Sequence, residues 1–124
     1  MEVKNLNLKL RAWDKNHKLM DYIEDLYWFE ENGVHNFDGN GIHMDYDIML
    51  CSGLHDSKRT DEFPYGQEVY ENDIIKDLEG NIYKIIFFNG MFLADCKVED
   101  IGRKHLVSVL SDGAYVVGNT YEKQ

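Results

Sequence analysis

The strongest constraint on the fold is the dipeptide Asn89-Gly90, which stands between two runs of mostly apolar residues, 83–88 and 91–96. Both central residues of a type I′ turn need a positive φ, and Asn and Gly adopt it at the lowest cost. A two-residue turn of this kind joins two neighbouring antiparallel strands. The sequence therefore predicts a β-hairpin here, and with it an antiparallel sheet.

Other short runs alternate between apolar and polar residues, as strands with one buried face do. Leu6, Leu8 and Leu10 fall on one face of an extended segment, and the polar residues 14–17 after it indicate a hairpin turn. The pattern predicts an all-β, or mainly β, fold built from small strands and hairpins. Further strands are predicted at residues 42–51, 73–77, 82–88, 106–110 and 115–119.

The segment from residue 19 to residue 30 carries two conflicting patterns. A Leu and an Ile four residues apart have helical spacing, whereas the aromatic residues 27–29 favour a strand. Asn32-Gly33 is typical of a tight hairpin, here between residues 27–29 and 34–37. This favours a strand for residues 27–29, while the local pattern by itself leaves helix and strand both open.

The length of 124 residues allows a core without disulfide bonds, so we expect one domain over residues 1–124. A stretch rich in charged and turn residues, 57–66, predicts a loop between two parts. The parts are an N-terminal β lobe at about residues 1–56 and a second β structure at about residues 67–124.

The charge and the hydropathy pattern argue against two classes of partner. A net charge of -10 opposes nucleic-acid binding, which depends on Lys and Arg neutralising phosphates. No apolar run approaches the length of a membrane span, and the first residues lack the pattern of a signal peptide. We expect a cytoplasmic protein with no membrane contact, in the host cytoplasm if a phage encodes it.

No set of residues has the spacing of a catalytic or cofactor site, and we predict no enzyme activity and no cofactor. Cys51 and Cys96 have no Cys or His neighbour at zinc-site spacing, and we expect both to be reduced and unpaired. Glu71 and Asp73 could be compared with a glycosidase carboxylate pair. Without a partner across a cleft, they are typical of turn and capping residues.

A metal site is the remaining chemical alternative. His43, Asp45 and Asp47 alternate along a predicted strand and could begin the centre of a metal-dependent hydrolase. No fourth ligand stands at a suitable spacing, so we assign these residues to the solvent face of the strand and predict no metal.

Three blocks of sequence carry a resemblance to a known family. They are Leu-Arg-Ala-Trp-Asp-Lys at 10–15, Cys-Ser-Gly-Leu-His-Asp at 51–56 leading into Val-Tyr-Glu-Asn-Asp-Ile-Ile at 69–75, and Val-Gly-Asn-Thr-Tyr-Glu at 117–122. The chain resembles the YopX-like proteins of phages and prophages, whose pattern runs F-R-A-W-D, then Y-T-G-L-x-D with I-Y-E-G-D-I, then I-G-N-I-Y-E. The resemblance covers nearly the whole chain. It departs from the pattern at Cys51-Ser52, where the family usually has Tyr-Thr.

The resemblance implies a mainly β fold whose C-terminal half, about residues 67–124, is similar to an SH3-type barrel or roll. It also implies a phage or prophage setting and a tendency to self-associate, without an assigned biochemical function. Asn72 stands where the family usually has Gly, so we predict a positive φ there, which Asn adopts at modest cost.

The aromatic content, eight Tyr, six Phe and two Trp, exceeds what one small core needs. We therefore expect an accessory protein that acts through protein–protein interaction, as a homo-oligomer and with a phage or host protein as a further partner. The alternative is a nucleic-acid-binding module, since small β-barrels often host one, although the charge opposes it. The candidate interaction residues are Trp13, Tyr27, Trp28, Phe29, Phe87 and Phe88.

Overall fold

The computed structural model describes residues 5–34, 43–98 and 100–122, with side chains from residue 9 onwards. These residues form nine strands and two short helices, and the mainly β fold is confirmed. The chain divides into two compact units, Met1–Cys51 and Ser52–Gln124. In the part of the chain that the structure describes, no helix has the length and apolar character needed to span a bilayer.

The first unit is built on an antiparallel hairpin, as the sequence predicts. It contains β1 (Asn5–Asp14), β2 (Leu19–Asp25) and α1 (Tyr27–Glu31), together with β3 (Tyr46–His55), which continues into the second unit. β1 pairs with β2 on one side and with β3 on the other. At the turn between β1 and β2, Asp14 Oδ1 accepts the backbone N–H groups of Asn16 and His17, and Lys18 takes a φ of 56°.

Residues 27–29, for which the sequence favoured a strand but left a helix open, lie in the helix α1. Trp28 is buried in the core of the unit with Ala12 and Ile48, and its Nε1 donates to Asp21 Oδ2 at 2.7 Å. Gly33 has a φ of 69°, its N–H donates to the Glu30 carbonyl, and the dipeptide ends a helix instead of closing a hairpin. The rest of the expected hairpin lies outside the described residues.

The strand predicted at residues 42–51 begins later than expected, at Tyr46. Before it, the N–H of Lys15 donates to the Asp45 carbonyl and the N–H of His43 donates to the Tyr46 carbonyl, so the backbone turns here. The strand also runs on to His55, past its predicted end. The turn predicted at residues 38–41 lies outside the described ranges.

The second unit contains a five-stranded antiparallel sheet with the strand order β8-β7-β6-β5-β9. Asn89 and Gly90 have φ values of 51° and 76°, which confirms the predicted hairpin between β6 and β7. The SH3-like barrel stays a prediction. The elements are β4 (Glu68–Tyr70), β5 (Asp73–Lys76), β6 (Ile82–Phe88), β7 (Met91–Asp95), β8 (Arg103–His105), α2 (Leu106–Ser111) and β9 (Tyr115–Asn119).

The strand predicted at residues 106–110 is also wrong, because this segment forms α2. Leu106, Val109 and Leu110 are buried, whereas Val107 is 56% exposed. Positions i, i+3 and i+4 share one face of a helix. The buried face of α2 therefore packs against the core of the second unit, to which the sheet contributes Tyr83.

The buried carboxylate of Asp56 ties the start of the loop predicted at residues 57–66 to the rest of the second unit. Its Oδ1 accepts the N–H of Gln67 at 2.9 Å, and its Oδ2 accepts the N–H of Val116 at 2.8 Å. Gly66 lies directly against this residue, and a Cβ at position 66 would stand 2.0 Å from the Asp56 carbonyl oxygen. Only glycine fits this contact without a backbone shift.

We expect Gly66→Ala to lower the free energy of unfolding by more than about 3 kcal/mol, because both the overlap and the left-handed backbone oppose a side chain. Gly80→Ala is the matched control, since Gly80 has the same φ of 92° but no atom within 4 Å of its Cβ position. The control should cost about 1–2 kcal/mol. Urea denaturation measures both, and equal losses would contradict the steric argument.

The predicted positive φ at Asn72 is confirmed, with a value of 67°. Its N–H donates to the Ile85 carbonyl, and its carbonyl accepts the N–H of Thr120. Asn72→Gly should change the free energy of unfolding by less than about 1 kcal/mol, whereas Asn72→Val should destabilise by more, because a β-branched residue resists this conformation. Thermal melts of the two variants provide the measurement, and equal melting temperatures would refute the argument.

Candidate functional site

The five-stranded sheet of the second unit has one face over the core and one face away from it. Ile75, Tyr83, Ile85 and Ala94 point into the core. Because successive side chains along a strand point to opposite faces, and directly paired residues share a face, the strand register identifies the other side. We call it the open face. On strands β5 to β8 it consists of Ile74, Lys76, Ile82, Lys84, Ile86, Phe88, Met91, Leu93, Asp95, Arg103 and His105. Leu93 of this set is buried.

The open face exposes large apolar side chains. Ile82, Phe88 and Met91 are 47%, 48% and 42% exposed. Phe88 and Met91 are directly paired across the hairpin, so their side chains form one continuous apolar surface. The guanidinium carbon of Arg103 lies 5.3 Å from the centre of the Phe88 ring, and Arg103 Nε is 3.4 Å from Asp95 Oδ1. A cation therefore rests against the aromatic part of this surface.

A groove of about 670 Å³ lies at the Ile82 end of the open face, and Phe88 and Met91 at the other end of β6 do not line it. Ile74, Ile82 and Val98 supply apolar walls, and the groove is also lined by two basic residues, Lys84 and Lys97, and one acidic residue, Asp95. This combination suits an apolar side chain of a partner flanked by a carboxylate.

The open face differs in charge from the chain as a whole. It holds the basic residues Lys76, Lys84 and Arg103 and a single acidic residue, Asp95. The full sequence has 23 acidic residues against 13 Lys and Arg. The face is thus a locally basic and apolar surface on an acidic protein.

The candidate residues Phe87 and Phe88 point to opposite sides of β6. Phe88 belongs to the open face, while Phe87 packs on Phe92 with ring centres 4.8 Å apart. Phe87 is still 43% exposed, since it lies near the end of the hairpin. The hairpin therefore presents an aromatic ring on each side.

The candidate residues of the first unit divide between core and surface. Trp28 is buried, and Phe29 packs against the same core with its ring 5.3 Å from the Trp28 ring. Trp13 is half-buried in β1, directly paired with Met20 and with Asp47. Of these four residues, only Tyr27 is exposed, at 45%.

The residues considered for a metal site engage other groups. His43 Nδ1 accepts the backbone N–H of Asp45, Asp45 Oδ1 accepts Asn16 Nδ2, and Asp47 forms an ion pair with Lys15 at 3.1 Å. Among the described residues, no group of three or more His, Cys, Asp or Glu side chains could hold a metal ion.

The other residues considered for catalysis or metal binding lie in positions typical of structural residues. Asp73 is buried, and its Oδ2 accepts the N–H of Tyr70 at 2.8 Å, which is the capping contact expected of a turn residue. Cys51 and Cys96 are both buried, and no disulfide bond joins them.

A smaller pocket of about 210 Å³ lies beside the half-buried Asp77 and the buried Tyr83. The Asp77 carboxylate accepts hydrogen bonds from the Tyr83 hydroxyl, from the N–H of Glu79, and from the backbone and side chain of Asn81. Burial alone would raise the pKa of Asp77, but these hydrogen bonds outweigh it, and the pKa lies below its ordinary value. Burial and the bond to Asp77 raise the pKa of Tyr83 to about 12. Hydrogen bonds within this turn and to Tyr83 satisfy the Asp77 carboxylate, so the arrangement does not require a ligand.

Sequence reasoning missed the contribution of Arg103 and His105 to the open face because β8 was not predicted. Its three residues, Arg103, Lys104 and His105, carry no apolar alternation. The Asn89-Gly90 hairpin fixes the pairing of Phe88 with Met91, so that pair could have been found from the sequence.

Tyr83 should make stability sensitive to alkaline pH. Because its pKa is raised in the folded state, its stabilising effect is complete below pH 10 and is lost as the pH rises through about 12. We expect Tyr83→Phe to lose less stability over this interval than the unmodified protein. Tyr65→Phe, at an exposed tyrosine, is the control and should follow the unmodified protein. Urea denaturation at several alkaline pH values provides the measurement. Equal losses of stability for both variants would contradict the prediction.

Comparison with known proteins assigns the chain to a family. A search of the curated proteins found none that matches it. The family model described as YopX protein matches residues 9–124, which is nearly the whole chain and includes both units in large part. The match agrees with the three sequence blocks identified above. The chain therefore belongs to the YopX protein family.

Proposed function

We propose that this chain is a phage-type accessory protein that works by binding protein, itself included, through the open face of its second unit. The observation that carries the proposal is the exposure of the directly paired Phe88 and Met91 on the same sheet face as Ile82, which is itself exposed and lines a groove. Contiguous apolar surface of this kind marks protein-binding sites more often than isolated exposed residues do. Membership of the YopX family supports the phage-type assignment.

The free energy gained by burying these three apolar side chains is too small to stabilise a complex by itself. Complete burial of a large apolar side chain contributes roughly 1.5–3 kcal/mol, and these are already about half buried. Association costs roughly 4–15 kcal/mol in lost freedom of motion. The partner must therefore also fill the groove and interact with the charged side chains around it.

The rigidity of the hairpin supports binding. The type I′ turn at Asn89-Gly90 and the regular pairing of β6 with β7 hold Phe88 and Met91 in fixed positions. Arg103 further restricts the Phe88 ring by lying over it. A surface ordered before binding loses less conformational entropy when a partner covers it.

Replacing the apolar pair tests the proposal. We expect the unmodified protein to have a mass above the single-chain value of 14.5 kDa at micromolar concentration, and Phe88→Ser/Met91→Ser to return it to that value. Val107→Ser is the matched control, because Val107 is 56% exposed in the same unit but lies on α2. Light scattering measures the mass, and thermal melts verify that each variant is folded.

Two results would contradict the proposal. One is a mass of 14.5 kDa for the unmodified protein at micromolar concentration. The other is an unchanged assembly in a folded Phe88→Ser/Met91→Ser variant.

A further inference from the structure

We infer that the open face binds the β2–α1 segment of a second copy of this chain, with apolar side chains packed together and carboxylates paired with the basic residues. The inference rests on the proposed function and names the occupant of the proposed site. It comes from the opposite charge of two surfaces that lie in different units of the chain.

The β2–α1 segment, residues 19–31, is acidic throughout. It contains five acidic residues and no Lys or Arg. Glu24, Glu30 and Glu31 are exposed. β2 also lies at the edge of its sheet, where a second chain can approach.

The same segment exposes apolar side chains between its carboxylates. Leu19, Tyr22, Leu26 and Tyr27 are each at least 45% exposed. Trp28 remains in the core, so the segment keeps its fold while presenting these side chains. An apolar surface interrupted by carboxylates is what the groove with Lys84 and Lys97 accommodates.

Charge also selects against the two symmetric alternatives. Two β2–α1 segments brought together would place carboxylates against carboxylates, and acidic side chains on an edge strand oppose its pairing with an identical edge. Two open faces brought together would place Lys84 and Arg103 near their own copies, which also costs energy. When the open face of one copy contacts the β2–α1 segment of another, the basic residues of the first lie against the carboxylates of the second.

The proposed contact makes a prediction about salt. Interactions between exposed charges weaken as the ionic strength rises, since the Debye length falls from about 10 Å at 0.1 M to about 3 Å at 1 M salt. Association of the unmodified protein should therefore weaken with added salt, whereas an interface held by apolar contact alone should not.

Complementary charge reversal tests the inference directly. Lys84→Glu/Lys97→Glu reverses the basic residues of the groove, and Glu24→Lys/Glu31→Lys reverses two exposed acidic residues of the segment. Each double variant alone should self-associate about tenfold more weakly than the unmodified protein. A mixture of the two should recover association, because each copy then meets a surface of opposite charge.

A control separates this contact from a general effect of net charge. Arg59→Glu/Lys104→Glu changes the net charge by the same amount at exposed positions off the open face, since Lys104 pairs with the inward-pointing Ala94. It should associate as the unmodified protein does. Native mass spectrometry with one partner isotope-labelled identifies mixed assemblies by mass.

The outcomes distinguish the inference from the proposed function. Mixed assemblies formed only by the complementary pair support the inference. If reversal weakens nothing, or if mixing restores nothing while Phe88→Ser/Met91→Ser still abolishes assembly, the inference is overturned and the proposed function stands. If the unmodified protein is a single chain in solution, both fail.

Discussion

The second unit depends on the buried carboxylate of Asp56, which joins three segments that are distant in sequence. It holds the return of the loop at Gln67 and the edge strand β9 at Val116, 60 residues away. A buried acceptor is stable only when donors surround it, and here two backbone N–H groups do so. One of them belongs to an edge strand, where an unbound N–H would be open to pairing with another chain. The bond at Val116 thus occupies part of that edge.

The secondary structure was predictable where interactions between residues close in sequence determine the backbone conformation. Asn89-Gly90 gave the hairpin between β6 and β7 because no tertiary contact is needed to favour a type I′ turn. The two helices were missed because their residues have β propensity while the core selects helical spacing. In α2 that core is filled by Leu106, Val109 and Leu110. Asn32-Gly33 shows the same ambiguity, since a positive φ ends a helix as readily as it closes a hairpin.

The candidate site was predictable only in part. Phe87 and Phe88 were found because a run with apolar residues at consecutive positions needs cover on both faces. Trp28 was grouped with them on composition, yet it fills the core of the first unit. The basic character of the open face depends on strand register, which places Arg103 and Lys84 on either side of Asp95. Lys84 and Arg103 are far apart in sequence, so their proximity becomes apparent only when the pairing of β8 with β7 is known.

Arg103 contacts both an aromatic and an acidic residue of the open face, Phe88 and Asp95. In the free chain its guanidinium lies over Phe88 and beside Asp95, so part of an exposed aromatic ring is covered by a group that remains hydrated. The guanidinium has five N–H donors, and these contacts leave several of them available for a carboxylate of a partner. In the proposed contact, a carboxylate of the partner would therefore meet these donors without displacing Arg103 from the ring. An ammonium at this position would lack the planar surface that makes both contacts compatible.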